Sequence, residues 1–184
     1  MKFIPQSIEE VVLLKPTSYG DDRGYFVETF RQDLLEKAIG YKVNFVQDNE
    51  SKSIKGVLRG LHYQLPPYTQ AKLVRVIEGS VLDVAVDIRK SSPTFGQHVS
   101  LELTAQNKHQ LFVPHGFAHG FVVLSDSATF TYKVDNYYAP EHDRGIAFDD
   151  EQLKINWQLS AEELQLSDKD RAHPSLAKAK YLFE

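Results

Sequence analysis

Cysteine is absent from this sequence, which excludes disulfide bonds and any chemistry that needs a thiolate. Long apolar runs are absent as well, since none approaches the roughly 20 residues of a membrane-spanning helix. The N-terminal segment also lacks the apolar core of a secretory signal peptide. These absences predict a soluble protein of the cytoplasm, a reducing compartment in which disulfides are rare.

A broad excess of positive charge is missing too. The net charge is −4, so the chain offers no basic surface for nucleic acid. A small phosphorylated ligand remains compatible with this balance, because a few cations in one pocket are enough to bind an anion. At 184 residues, of which 42% are hydrophobic and 25% charged, the chain predicts one globular domain over 1–184.

Alternation of apolar and polar residues dominates the middle of the chain. Residues 80–89 place Leu82, Val84, Val86 and Ile88 on one face, which is the period of a β-strand. The same period predicts further strands at 25–30, 43–51, 57–64, 71–78, 97–104, 109–113, 119–124 and 127–135. Many short strands at close spacing are typical of a double-sheet barrel, so the predicted fold class is all-β, a jelly roll.

Helical patterns are few and short. Asp33 stands where it can cap a helix that ends near Gly40. Ser160 and Glu163 have the spacing of a capping box. From about Ala139 the chain becomes more charged and its pattern more helical, which predicts a C-terminal helical appendage packed on the barrel.

One predicted strand carries two polar residues that a core would not need. His62 and Arg59 are three residues apart, so a regular strand points them to opposite faces. Gly60 lies between them and can host a bulge that re-aims one side chain; alternatively, Arg59 sits at the rim and curls inward. Taken alone, His62 is equally well explained as a hydrogen-bonded core histidine.

Other strands add polar residues on faces that also carry apolar ones. Lys72, Tyr132 and the pair Gln47 and Asn49 are the clearest cases. Each has an ordinary structural explanation, such as a lysine that reaches water or a tyrosine with a satisfied hydroxyl. Together with His62 they supply a general base, a general acid and anion-binding groups to one cavity.

A metal site is the competing interpretation, because barrels of this type often hold a metal on histidines. The usual pattern has two histidines one residue apart and then a glutamate, whereas this chain has His62, Gln64 and then Lys72. His115 and His119 have a spacing that suits a metal on a helix, but the glycines and proline around them disfavour one. Three ligands cannot be assembled, and the sequence predicts no metal.

Longer blocks carry a more specific signal. Residues 47–53, 56–64, 72–76, 83–89, 92–96 and 116–121 closely resemble the dTDP-4-dehydrorhamnose 3,5-epimerase family, and the likeness runs from about Gly20 to Asp170. The resemblance implies a cupin jelly-roll fold, a homodimer, no cofactor, and a role in making dTDP-L-rhamnose for surface polysaccharide.

The same resemblance implies roles for individual residues. His62 matches the catalytic base, Tyr132 the catalytic acid, and Asp170 the carboxylate that hydrogen-bonds the histidine. Lys72 is our candidate for stabilising an enolate oxygen. Positions that match substrate-binding residues are Arg23, Glu28, Gln47, Asn49, Arg59, Lys72, His119, Asp143 and Lys169.

Further expectations concern the surroundings of the site. Arg23 and Glu28 are expected to reach the partner subunit's site, since in this family an N-terminal strand crosses the dimer. Tyr138 is expected to stack at the nucleotide end. Four other histidines are expected to be structural or at the surface: His98, His109, His142 and His173. Two strand aspartates, Asp83 and Asp87, are expected to pair with Arg75 or Arg89.

The reaction so implied inverts C3 and C5 of dTDP-4-dehydro-6-deoxy-D-glucose, giving dTDP-4-dehydro-L-rhamnose. Hydrogens beside the C4 ketone are acidic because their removal gives an enolate, and a histidine is suited to accept them near neutral pH. Three alternatives stay open at this point: a single-carbon epimerase or ketoisomerase on a related dTDP-4-keto-deoxysugar, a metal-dependent cupin oxygenase, and a non-catalytic sugar-binding barrel.

Overall fold

Two antiparallel β-sheets face each other in the computed structural model, which describes residues 1–184. The strands are β1 Lys2–Pro5, β2 Val12–Lys15, β3 Ser18–Asp21, β4 Gly24–Val27, β5 Gln47–Ile54, β6 Leu58–Gln64, β7 Lys72–Glu78, β8 Ser80–Asp87, β9 His98–Thr104, β10 Gln110–Val113, β11 Phe117–Val123, β12 Ser127–Val134 and β13 Asp143–Gly145. The helices are α1 Gln32–Ile39 and α2 Asp168–Arg171, with 3₁₀ turns at Pro140–His142 and Leu176–Lys178.

The order of the strands builds the predicted barrel. Six of them form one sheet in the order β1-β2-β10-β7-β12-β5, and five form the other in the order β13-β6-β11-β8-β9. The strands β3 and β4 pair only with each other, as a separate hairpin. The all-β prediction is therefore confirmed, and each predicted strand overlaps an observed one. The unpredicted strands, β1 to β3 and β13, are too short to show a clear alternation.

Three apolar clusters hold the layers together. The largest fills the space between the sheets and includes Phe121 and Phe130. The second covers the outer face of the five-stranded sheet, where Leu82 and Val84 of β8 meet Trp157 of the appendage. The third joins α1 to the outer face of the six-stranded sheet. The clearly apolar face of β8 thus packs against the appendage, and its other face, which carries Asp83, looks into the barrel.

The helices follow the sequence pattern only in part. α1 ends as expected at Gly40, with φ 82°, but Arg31 is the N-cap, and Asp33 lies in the first turn and pairs with Arg31 at 2.6 Å. At Ser160 a turn forms instead of the predicted helix, although the Ser160 N–H donates to the Glu163 carboxylate at 3.0 Å.

Backbone pairing explains why no helix follows Ser160. The Gln165 N–H donates to the Gly56 carbonyl at 2.9 Å, and the Leu58 N–H donates to the Gln165 carbonyl at 2.9 Å. These bonds extend the chain beside β6, so tertiary contacts override the local helix signal. The appendage is present, but its only α-helix is the four-residue α2. No helix of the protein combines the length and the hydropathy needed to cross a bilayer.

A bulge in β6 is the local feature that shapes the site. His62 pairs with His119 and Arg59 pairs with Phe121, so β6 carries one more residue than β11 between these two pairs. Leu58 and Leu61 both pack in the outer cluster as a result, while Arg59 and His62 both line the cavity between the sheets. The bulge at Gly60, one of the two arrangements that the sequence left open, is confirmed.

Glycine is required at the bulge for two separate reasons. Gly60 has φ 141°, a conformation that side-chain-bearing residues rarely adopt. A Cβ at this position would also lie 2.5 Å from the Gly120 Cα, which is far inside van der Waals contact. Two backbones can approach this closely only without side chains.

We expect Gly60→Ala to destabilise the protein by roughly 3 kcal/mol, because strain and overlap with a backbone atom act together. Gly24→Ala is the matched control, since Gly24 has φ 134° and nothing within 4 Å of an added Cβ. Its strain alone should cost about 1–2 kcal/mol. Urea unfolding at one protein concentration, followed by the fluorescence of Trp157, measures both; equal losses would show that the contact with Gly120 is unimportant.

Candidate active site

A cavity of about 330 Å³ lies between the two sheets and gathers most of the predicted site residues. One wall comes from β6 and β11 and the opposite wall from β5, β7 and β12, while the appendage closes one end. The lining residues are, in that order, Arg59, His62, His119 and Phe121; Ser51, Lys72, Phe130 and Tyr132; and Ser167, Lys169 and Asp170. Larger depressions of about 390 and 540 Å³ occur elsewhere, but neither contains a histidine.

Asp170 is held as an anion beside His62. Its Oδ1 lies 2.5 Å from His62 Nε2, and its Oδ2 accepts a hydrogen bond of 2.8 Å from Ser167 Oγ. Ser167 is the N-cap of α2, and its Oγ also accepts the Asp170 N–H at 3.2 Å. Burial acts to raise the pKa of Asp170, but contacts with His173, His62 and Ser167 outweigh it and hold that pKa well below its usual range.

His62 is arranged as a neutral base. Burial lowers its pKa below the ordinary value, the hydrogen bond to Asp170 acts in the opposite direction, and the charge of Lys72 lowers it further. The carboxylate at Nε2 fixes the proton on that nitrogen and leaves Nδ1 as the basic atom. An imidazole in this state can accept a proton at neutral pH.

The opposite wall carries an acid and a cation. Burial raises the pKa of Tyr132, so its phenol keeps its proton at neutral pH. Burial lowers the pKa of Lys72 to about 8, against the opposing charges of Asp143 and Asp83. At neutral pH Lys72 therefore remains largely an ammonium ion inside the barrel. Base and acid face the cavity from different sheets.

A second histidine–aspartate pair lies next to the first. His119 is buried, and its Nε2 lies 3.0 and 3.1 Å from the two oxygens of Asp83. Asp83 was expected to pair with Arg75 or Arg89, and that expectation is wrong because this face of β8 looks inward. Asp87 does pair as expected, with Arg89 at 2.7 Å.

Arg59 stands at the rim of the cavity. Its Nε and Nη2 both donate to Ser53 Oγ at 3.2 Å, which holds the guanidinium beside the strand β5. The side chain otherwise stays exposed. A guanidinium held at a rim is well placed to bind an anion that enters the cavity.

Other predicted residues lie beside this cavity, toward the outside of the barrel. Lys169 pairs with Asp143, and the Tyr138 hydroxyl donates to the same carboxylate at 3.2 Å. Gln47 Nε2 donates to Asn49 Oδ1 at 2.8 Å. An adjoining cavity of about 290 Å³ is lined by Gln47, Asn49, Gln70, Tyr132 and Tyr138, so Tyr132 lines both spaces.

Arg23 and Glu28 lie apart from the other predicted residues within the chain. Arg23 is 89% exposed and pairs with Asp21 at 2.6 Å in the hairpin β3–β4. Glu28 is about half exposed and lies 3.8 Å from Arg31. Neither lines either space.

His173 is a neighbour of the site that sequence reasoning missed. It was expected to be structural or at the surface, yet its Nε2 lies 3.6 Å from Asp170 Oδ1 and its side chain is only 10% exposed. Its ring meets that of His62 edge to face, with centroids 5.5 Å apart. The available signal was its position only three residues after Asp170 in the chain.

A metal site is the competing interpretation of this cluster. The ligand atoms of His62, Asp170 and His173 lie within 4.8 Å of one another. Two ligands of a tetrahedral zinc ion would be roughly 3.3 Å apart. The separation of 2.5 Å between His62 and Asp170 is instead that of a short hydrogen bond. The geometry favours proton transfer over metal binding.

These features define a class of protein, a cupin-type jelly-roll barrel whose interior is equipped for acid–base chemistry. Residues 5–178 match the family model for dTDP-4-dehydrorhamnose 3,5-epimerase, and the chain belongs to that family. The resemblance seen in the sequence is thereby confirmed.

Known relatives agree in sequence and in fold. The dTDP-4-dehydrorhamnose 3,5-epimerase of Shigella flexneri is 56% identical over 170 residues, with 92% of this chain and 93% of the relative covered. A Legionella pneumophila epimerase crystallised with dTDP-4-keto-L-rhamnose has a TM-score of 0.95 at 48% identity, covering 100% and 98% of the two chains. A 3′-monoepimerase from Streptomyces bikiniensis with dTDP-quinovose has a TM-score of 0.88 at 34% identity, covering 96% and 88%.

The surroundings of His62 predict opposite effects of two substitutions on its pKa. Asp170→Asn should lower it further, because a stabilising carboxylate is lost, and Lys72→Met should raise it, because a repelling charge is lost. NMR titration of the unliganded protein measures both, and the pKa of His98, on the far strand β9, should stay constant. A pKa of His62 that does not respond to either change would contradict this electrostatic arrangement.

Proposed function

We propose that this chain inverts C3 and C5 of dTDP-4-dehydro-6-deoxy-D-glucose, giving dTDP-4-dehydro-L-rhamnose for dTDP-L-rhamnose biosynthesis. The observation that carries the proposal is the placement of His62 and Tyr132 on opposite walls of one cavity. Membership of the family supports the reaction, and the Legionella relative supports the substrate class.

In the first step His62 Nδ1 takes the proton from a carbon beside the ketone. The C–H electron pair becomes a C=C bond, and the C4 carbonyl pair moves to oxygen as an enolate. Asp170 stabilises the imidazolium that forms, as the aspartate does in hydrolase triads. The hydrogen bond of 2.5 Å between them is in place before the substrate binds.

The enolate requires a positive group aimed at its oxygen, and Lys72 is that group in our proposal. An ammonium inside the barrel acts with little screening by water. Preorganised donors of this kind contribute about 3–4 kcal/mol to the transition state. With its pKa lowered to about 8, Lys72 is still protonated at neutral pH.

In the second step Tyr132 gives its proton to the same carbon from the opposite face, which inverts the centre and restores the ketone. The phenolate then regains a proton from solvent, and His62 releases its proton. The same pair acts again at the second carbon. Every step moves only a proton, so the proposed reaction requires no cofactor.

The nucleotide part of the substrate fits the polar residues that lead away from the ring. Arg59 and Lys169 supply positive charge for the diphosphate, and His119 contacts the sugar from the wall beside His62. Gln47, Asn49 and Tyr138 line the adjoining space, where an aromatic ring can stack on the base.

We expect the functional unit to be a homodimer in which Arg23 and Glu28 act on the partner's substrate. The hairpin that carries Arg23 exposes Tyr19, Tyr25 and Phe26, each by more than 60%, on its two short strands. Exposed aromatic residues on a projecting hairpin are suited to cover a neighbouring chain.

A single-carbon epimerase is the second candidate function, and the structural likeness to the 3′-monoepimerase of Streptomyces bikiniensis favours it. Both reactions use one base and one acid. They differ only in which carbons the ring presents to that pair, so a labelling experiment separates them.

Incubation of the enzyme with dTDP-4-dehydro-6-deoxy-D-glucose in D₂O should give product deuterated at C3 and C5, because each new proton comes from a group that exchanges with solvent. One- and two-dimensional NMR of the isolated sugar measures the label. Deuterium at only one of the two carbons would replace the double epimerase with the single-carbon function, and no incorporation would reject both.

Variants separate the two roles in the same assay. His62→Ala should abolish exchange at both carbons, with a loss of roughly 10²–10⁴-fold in kcat. Tyr132→Phe should allow exchange by His62 without inversion. Affinity for dTDP, measured by calorimetry, should change little in either. His98→Ala is the control and should match the wild type; normal turnover of His62→Ala would remove the assigned base.

Mixed dimers test the contribution of Arg23. A dimer of one Arg23→Ala chain and one His62→Ala chain contains one intact site if Arg23 acts across the interface, so about half of the wild-type activity should return. Differently tagged chains allow the hybrid to be isolated. If Arg23 served its own chain's site, the hybrid would contain no intact site and would remain as inactive as its parents.

A further inference from the structure

His173 lies behind the catalytic pair, and both the Asp170 carboxylate and the backbone of Gly145 lie close to its ring. Its Nε2 is buried without a hydrogen-bond partner and faces Asp170 Oδ1 at 3.6 Å. This separation is longer than a hydrogen bond. Its ring stands at 81° to the ring of His62, so the edge of one meets the face of the other.

The same Nε2 edge of the His173 ring rests on Gly145. A Cβ at Gly145 would lie 2.3 Å from His173 Nε2 and 2.4 Å from its Cδ2, so the ring occupies the space that a side chain would fill. Gly145 of β13 pairs with His62 of β6 in the sheet register. The missing side chain therefore lets His173 pack directly beside the base.

We propose that His173 is a positioning residue, which holds the Asp170 carboxylate and the His62 ring in the relative orientation that proton abstraction requires. It does not touch the cavity, so it acts through these two neighbours and not on the substrate. The inference rests on the proposed function, since it assigns His62 as the base.

The physical reason is that Asp170 Oδ1 has only His62 as a close hydrogen-bond donor, while Ser167 holds the other oxygen. Without the ring of His173, the carboxylate and the imidazole each gain room to rotate. Misplacement of a catalytic group by about 1 Å can cost around 10²-fold in rate. Substrate contacts would be unaffected.

Two substitutions at His173 separate the effect of the ring's shape from the effect of its N–H group. His173→Phe keeps the ring and removes the N–H, and we expect kcat to fall by roughly threefold to tenfold. His173→Ala removes both, and kcat should fall by roughly 10- to 100-fold. KM should stay within about twofold in each, because binding groups are untouched. A raised KM with normal kcat, or normal kcat in both variants, would overturn the proposal.

Gly145→Ala provides an independent route to the same effect, since its methyl group would overlap the Nε2 edge of the His173 ring and displace the ring from its place beside Asp170. It should lower kcat, and the double variant Gly145→Ala with His173→Ala should be no slower than His173→Ala alone. Additive losses would overturn the proposal. If His173→Ala fails to fold, His173→Phe and Gly145→Ala decide the question.

A spectroscopic readout in the unliganded protein separates this inference from the proposed function. The proton in the short His62–Asp170 hydrogen bond should give a low-field NMR resonance that weakens or disappears in His173→Ala and persists in His98→Ala. A resonance unchanged by His173→Ala would overturn the positioning role even in an active enzyme. A protein that is inert in the D₂O assay, yet shows the expected loss of signal, would refute the proposed reaction alone.

Discussion

The close approach of two glycine backbones is the constraint on which the site depends. Gly60 and Gly120 leave no room for a side chain between them, and at this point β6 carries one more residue than its partner strand. Leu58 and Leu61 can therefore both stay in the apolar cluster outside the sheet, while Arg59 and His62 both turn to the cavity. A regular strand would have buried one of these polar side chains among hydrocarbon, where it would lack partners.

Burial of charge is the second constraint, because an ionised group inside a barrel is costly without a partner. The site meets it by pairing: Asp170 with His62, Asp83 with His119, and Asp143 with Lys169. Lys72 has no close partner, so burial lowers its pKa to about 8, although the charges of Asp143 and Asp83 act to raise it. The fold itself holds these charged side chains in place, so they need to move little when charge develops on a ligand.

The sequence predicts the strands and the groups on them well, since parity along a strand states which side chains share a face. That rule placed Lys72 and Tyr132 on faces shared with apolar residues. It did not decide whether those faces line a core or a cavity, and their roles came from the family resemblance. Asp170 lies 108 residues from His62, and only family resemblance linked the two. Asp83 was misassigned because the apolar face of its strand turns to the appendage and not to the interior. The helix expected at Ser160 failed for a similar reason, as the pairing of Gln165 with Gly56 is a long-range contact that no local pattern reveals.

The appendage is as much a part of the site as the barrel. Asp170 lies on a helix of four residues, which is far too short to be stable alone. Its place is fixed by Trp157, Leu164 and Leu176, which pack in the apolar cluster on the outer face of the sheet that carries His62. The same cluster that stabilises the fold therefore brings the carboxylate to the imidazole, and opening of the appendage would separate the base from its partner. Stability of this cluster and basicity of His62 are consequently coupled through the chain that joins them.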